Sequence, residues 1–297
     1  MSDTVLPTLV YGFVNSCTYA LLALGYALIY NTSRIFHVAH GATYTISGYV
    51  LYSLTVLWHW PLWATLGATI GIAGLFGITL DRWLYRPIAF GSGSLLPAFI
   101  ASLGIYTAAI NVVALVFGSE TKVVAPGMAT TIRFGNVILT HIQVAQLLAG
   151  VLCSGTLLVI LRFTSWGRTV RAVRDNMQLA DVLGINVSSV RLSVFALGSA
   201  LAGLAGFMTA LDVGIDPYGG ITAVLAAAIA MAVGGTGTFA GPVVGAVLFG
   251  CLQSLLVLTI GTRWMEALAF TVLLLILIAR PGGLIYYTRR LEEERSA

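Results

Sequence analysis

Charge is what this chain has least of. Only 9% of its 297 residues are Asp, Glu, Lys or Arg, while 58% are hydrophobic. A soluble domain carries roughly 25% charged residues, so the scarcity excludes one and points to a chain that crosses a membrane several times. Cysteine is sparse as well. Cys17, Cys153 and Cys251 each sit in an apolar run, with no ligand spacing, so they read as small packing residues rather than a disulfide framework or a metal site. No GxxxxGK[ST] phosphate loop occurs anywhere, which leaves the chain no means of hydrolysing ATP by itself. The apolar runs hold no acidic or basic residue well inside them, and carriers coupled to protons or sodium generally need one. The first residues, MSDTVLPTLVYG, also lack the basic stretch and small-residue cleavage site of a removable signal peptide.

What fills the chain instead is a ladder of apolar segments, each near the roughly 20 residues that cross a hydrocarbon core. They run approximately over 5–30, 38–57, 62–80, 95–117, 142–161, 192–211, 221–233, 243–260 and 265–278. The seventh is short and precedes GGTGTFAGP, so it reads as a broken or re-entrant element. The expectation is an all-α, polytopic integral membrane protein of eight or nine spans, forming a single domain over 1–297. Its 33 glycines suit membrane helices, whose backbones approach closely where side chains are small.

The few basic residues orient the ladder. Arg34, Arg82, Arg86, the five arginines of 162–191, and Arg280, Arg289, Arg290 and Arg295 fall on one side; Lys122, Arg133 and Arg263 fall on the other. Basic residues gather on the cytoplasmic side, so the N-terminus is expected outside, with the 162–191 loop and the 281–297 tail inside. Trp58, Trp60, Trp63 and Trp264 then form an outer interfacial belt, and Trp83, Tyr85 and Trp166 an inner one.

The 162–191 segment is the one organised polar stretch. It carries Arg162, Arg168, Arg171, Arg174 and Arg191, and a short helical pattern from Thr169 to Leu183 that stops at Gly184, a plausible C-cap. Ala172, Leu179, Ala180 and Leu183 supply a small apolar surface. Two readings stand side by side: an apolar ridge that enters a groove on another protein with arginines fixing its orientation, or a loop held at lipid headgroups.

Four sequence stretches resemble, in order and spacing, the permease subunits of branched-chain amino-acid ATP-binding-cassette importers. They are YALLALGYALIYNTSRIFHVAHGATYTISGYV, GRTVRAVRDNMQLADVLGINVSSVRLSVFALGSALAGLAG, AVGGTGTFAGPVVGAVLFG and LIARPGGL, and the likeness runs from about Gly12 to Leu284. The chain departs from that pattern where the family's usual Asn-Phe before Ala-His-Gly is His37-Val38. The resemblance implies a transport subunit of the bacterial inner membrane, not an enzyme. It would carry branched-chain amino acids or related small polar solutes such as urea and amides. It also implies partners: a second, similar permease, two cytoplasmic ATPases that use the ATP, and an extracytoplasmic solute-binding protein. Besides these and membrane lipid, no cofactor, metal or nucleic acid is expected on this chain. The rival class is a self-sufficient secondary carrier or channel.

On that resemblance the 162–191 helix becomes the element coupled to the ATPases, through Arg168, Arg171, Arg174, Asp175, Ala180, Gly184 and Ile185. Polar residues within the spans, Asn15, Ser16, Thr18, Asn111, Gln143, Gln146 and Gln253, either line a path or bond helix to helix. Asn15, Thr18 and Asn111 are the path candidates, together with His40 and Gly41, which match the family motif. His37 and His40 share a helical face at a spacing a metal can use, but no carboxylate or thiolate lies nearby. Asp212 and Asp216 flank an outer loop, where they serve either to dock the binding protein or as ordinary loop chemistry beside Pro217. The Gly234–Gly241 run lacks the Lys of a phosphate cradle and reads as a tight turn.

Overall fold

The structure is a computed structural model that describes residues 2–88, 96–124, 130–261, 264–279 and 282–285. Arg263, Arg280, Arg289, Arg290, Arg295 and most of the 281–297 tail lie outside the described residues. The helices are α1 (Ser2–Ser33), α2 (Ala39–Tyr52), α3 (Leu62–Thr79), α4 (Leu96–Phe117), α5 (His141–Phe163), α6 (Ser165–Asp175), α7 (Met177–Val182), α8 (Val187–Asp212), α9 (Gly219–Gly234), α10 (Gly241–Ile260) and α11 (Met265–Ala279). Two π-helical turns, Ser53–Leu57 and Leu80–Tyr85, extend α2 and α3. Each of the nine apolar segments read from the sequence corresponds to a helix, and among the described residues six helices are long and apolar enough to cross a membrane.

One element was not foreseen. Thr131–Phe134 and Val137–Thr140 pair as an antiparallel hairpin, Thr131 opposite Thr140, around Gly135 at φ 58°. The hairpin leads directly into α5 through a capping box. Thr140 Oγ1 accepts from the Gln143 N–H and Gln143 Oε1 from the Thr140 N–H, both at 3.1 Å. Gln143 is therefore a helix-start residue rather than a path residue.

The chain forms two compact units. One comprises 1–24, 126–154 and 225–297, the other 25–125 and 155–224. In the first, Ala226, Ile229, Val233 and Phe249 gather with Tyr19. Tyr19 Oη donates to Gln253 Oε1 at 3.0 Å, so Gln253 bonds helix to helix. The turn at Gly234–Gly241 is tight: Thr238 Oγ1 accepts from the Gly241 N–H, and Pro242 opens α10.

In the second unit α8 is the hub. Gly25 of α1 and Gly198 of α8 cross so closely that a Cβ on Gly25 would meet the Gly198 carbonyl at 2.5 Å, and one on Gly198 the Gly25 carbonyl at 2.7 Å. On α3, Thr65, Thr69, Ala73 and Gly77 form a buried ridge of small residues spaced by four. Ala73 and Gly77 of that ridge meet Gly203 and Ser199 of α8. Small residues at this spacing bring membrane helices close enough for dispersion contacts to hold them, where no hydrophobic difference between lipid and side chain does so.

Candidate functional site

The polar segment folds as two short helices, not the single one read over 169–183. Thr164 starts α6 by accepting from the Gly167 N–H at 3.0 Å. Asn176, at φ −154°, ends α6 and caps α7, its Oδ1 accepting from the Leu179 N–H at 2.9 Å. An Asx side chain that satisfies the backbone in this way competes with helix continuation, which is why the pattern breaks there. Gly184, at φ 84°, then closes α7: the Ile185 N–H reaches the Ala180 carbonyl and the Gly184 N–H the Asp181 carbonyl. That is the Schellman arrangement expected of a C-terminal glycine. Asn186 caps α8 through the Ser189 N–H.

This geometry sorts the segment's residues. Val170, Val173 and Ala180 face their own chain and are buried. Ala180 therefore belongs to the inner packing, not to an outward surface. The outward apolar residues are Leu179, Val182 and Leu183, which are 54%, 83% and 71% exposed. Val182 is the member that sequence spacing did not single out. Arg168 is exposed, whereas Arg171 and Ile185 are half-buried. Arg174 pairs with Asp175 at 2.7 Å, and its carbonyl accepts from Arg34 Nη2 at 3.1 Å.

The π-turn after α3 and the start of α8 hold a group of charges that the sequence did not reveal as a unit. Asp81, fully buried in the π-turn after α3, accepts from Arg191 Nη2 at 2.7 Å and from Arg86 Nε at 2.8 Å. Arg86 also donates to the hydroxyl of Ser188 and, at 2.7 Å, to its carbonyl, in the first turn of α8. One helical turn beyond Asp81, the Tyr85 hydroxyl contacts His37 Nδ1 at 2.7 Å. His37 packs edge-on against His40 and Phe195. Burial, with His40 beside it, holds the His37 imidazole well below its ordinary range. The histidine pair is thus a ring stack, and no cluster of three metal-binding side chains occurs among the described residues.

The remaining candidates separate. Asn15 and Asn111 are exposed, while Thr18 is buried; Asn111 Nδ2 donates to the Thr107 carbonyl at 2.7 Å. Ser16, beside Asn15, is buried and bonds the Gly12 carbonyl at 2.6 Å. His40 stacks edge-on against Tyr26. Gly41 lies in a tight crossing, where a Cβ would meet the Gly220 carbonyl at 2.5 Å. Asp216 caps the start of α9, Oδ1 accepting from the Tyr218 and Gly219 N–H groups at 2.9 Å each, and Asp212 ends α8 half-buried. Lys122 and Ile215 exchange backbone hydrogen bonds at 2.8 and 2.9 Å. That bridge joins two loops assigned to the outer side, whereas the Arg34–Arg174 and Arg86–Ser188 bonds join loops assigned to the inner side.

The family described as "branched-chain amino acid transport system / permease component" matches residues 8–278. The permease protein BraD of the high-affinity branched-chain amino acid transport system of Pseudomonas aeruginosa is 28% identical to this chain, over 94% of it and 95% of BraD. The corresponding LivH proteins of Salmonella typhimurium and Escherichia coli K12 are 30% and 29% identical, over 92% of this chain and 93% of each relative. No solved structure matches the chain.

Proposed function

The chain belongs to the branched-chain amino acid transport system permease family, and from that premise we propose that it is the membrane subunit of an ATP-binding-cassette importer. It passes branched-chain amino acids, or small polar solutes like them, across the bacterial inner membrane. Eight or nine apolar helices cross the bilayer in this reading, with the short α9 as the broken or re-entrant element. The chain performs no covalent chemistry and binds no cofactor. Two partner ATPases consume ATP on the cytoplasmic side, a second, similar permease completes the path, and a binding protein delivers solute from outside.

The observation that carries the reading is the capped pair α6–α7. It turns Leu179, Val182 and Leu183 outward on the arginine-rich side of a chain that has no nucleotide loop of its own. Rigid capping at Asn176 and Gly184 holds the apolar ridge ready for a groove, and Arg168 and Arg171 set its orientation. Asp212 and Asp216 mark the opposite end, where the binding protein docks. Asn15 and Asn111, exposed amides on apolar helices of separate units, are each proposed as path residues, and His40 and Gly41 fix helix packing within the second unit.

The test replaces Leu179, Val182 and Leu183 one at a time with Glu and follows two readouts in the reconstituted complex. These are retention of the ATPases on purification and ATP-driven uptake of radiolabelled leucine. A buried interface anchor contributes about 2 kcal/mol or more, so affinity for the ATPases should fall roughly 30-fold or further. Full retention and normal uptake in all three variants would overturn the reading.

A further inference from the structure

The π-turn at Leu80–Tyr85 points two side chains inward one helical turn apart, and each meets a different segment on the inner side. Asp81 holds Arg191 and Arg86; Tyr85 holds His37. Arg86 goes on to the first turn of α8 at Ser188. Arg34, in the same short connection as His37, holds the end of α6 at Arg174. The contacts close a ring that runs from the π-turn to α8, back through the capped loop to α7 and α6, and across Arg34 and His37 to the π-turn again. A carboxylate with no exposure between two guanidiniums is costly to break, because separation leaves a buried charge uncompensated. π-turns are also rare insertions that recur at functional positions.

We propose that Asp81 is the positioning residue that locks the inner end of α3 to the start of α8, so that movement of α6–α7 is delivered to α3 without slippage. The inference rests on the reading of α6–α7 as the ATPase-docking pair. Asp81 touches neither solute nor nucleotide in this scheme. Its role is to make three elements move as one body, with Arg86 as a second strut to Ser188.

The experiment uses the full complex in proteoliposomes, with the native cysteines replaced by alanine. Spin labels sit at Trp83 and Ser189, both exposed and outside the ion pairs. The distance between the labels should be the same without nucleotide, with ATP and after vanadate trapping. In Asp81→Asn the distribution should broaden and become nucleotide-dependent, and leucine taken up per ATP hydrolysed should fall several-fold. ATP hydrolysis and retention of the ATPases should persist. Should Asp81→Asn not be recovered from the membrane, Arg86→Gln carries the test, since the Arg86 side chain is 20% exposed and strands no buried cation when lost. Its uptake per ATP should fall in the same direction. A label distance that changes with nucleotide in the unmodified ring, or a normal uptake-to-hydrolysis ratio in either assembled variant, would overturn the proposal. Failure of the docking reading is seen separately, as ATPases retained by the Leu179, Val182 and Leu183 variants.

Discussion

At the scale of single residues, buried groups decide the chain's tolerance to change. His37 is fully buried and stays neutral, its imidazole held below the ordinary range by burial and by His40. An unfolded chain takes up a proton there below about pH 6.5, and the folded chain does not. Protons then bind preferentially to the unfolded state, so stability falls as pH drops below that value. Thermal melts in detergent should show a lower midpoint at pH 5.5 than at pH 7.5, and His37→Phe should flatten the difference; an unchanged slope in that variant would rule the histidine out as its source. Gly198→Leu should cost at least about 1–3 kcal/mol through overpacking against Gly25, read as a loss of monodisperse protein. Gly184→Val should cost about 1–2 kcal/mol for its left-handed backbone, with insertion unaffected. Gly184 was legible in the sequence because a glycine after a helical pattern has one common use. Asp81 was not. It follows directly on an apolar run, and its partner Arg191 is 110 positions away, a pairing that no local pattern encodes.

At the scale of elements, apolar length was the dependable signal, and all nine segments found by it are helical. Interruptions inside helices were harder to read. Asn176 sat within a pattern that suits a helix on both sides, and only its side-chain bond to the Leu179 N–H shows the break. The two π-turns leave no periodic mark, because one added residue shifts the face without changing the composition. The capping box at Thr140–Gln143 is legible in principle as Thr-x-x-Gln before an apolar run, although Gln143 reads equally as a polar residue within the 142–161 segment. Replacing Asn176 with Ala should remove about 1 kcal/mol of capping and let α6 run on toward α7. Leu179 and Val182 would then lose their fixed direction. The expected result is weaker retention of the ATPases with unchanged insertion; tight retention would show that the break does not set the docking surface.

At the scale of the whole molecule, the arrangement of charge makes two statements that experiment can check. An impermeant thiol reagent on intact cells should label a cysteine placed at His59 and spare one at Ser189, since the basic residues place those two positions on opposite sides. Labelling of Ser189 from outside would reverse the topology. The source of energy is tested in proteoliposomes holding the complete importer, where leucine uptake should survive an ionophore that dissipates both proton and sodium gradients and stop when ATP is withheld. Asp81 does not contradict this. It is the one buried carboxylate among the described residues, and it is tied to two guanidiniums rather than free to carry protons.

The two compact units are assembled from separated stretches of chain. The first takes residues 1–24 at one end and 225–297 at the other. A ribosome adds roughly 5–20 residues per second, so the opening helix waits on the order of 10–40 s in the membrane before its last neighbours are made. During that interval it is a client for whatever insertase or lipid surrounds it. No single cut in the coding sequence separates the two units, and a message truncated before residue 225 leaves the first without its last stretch.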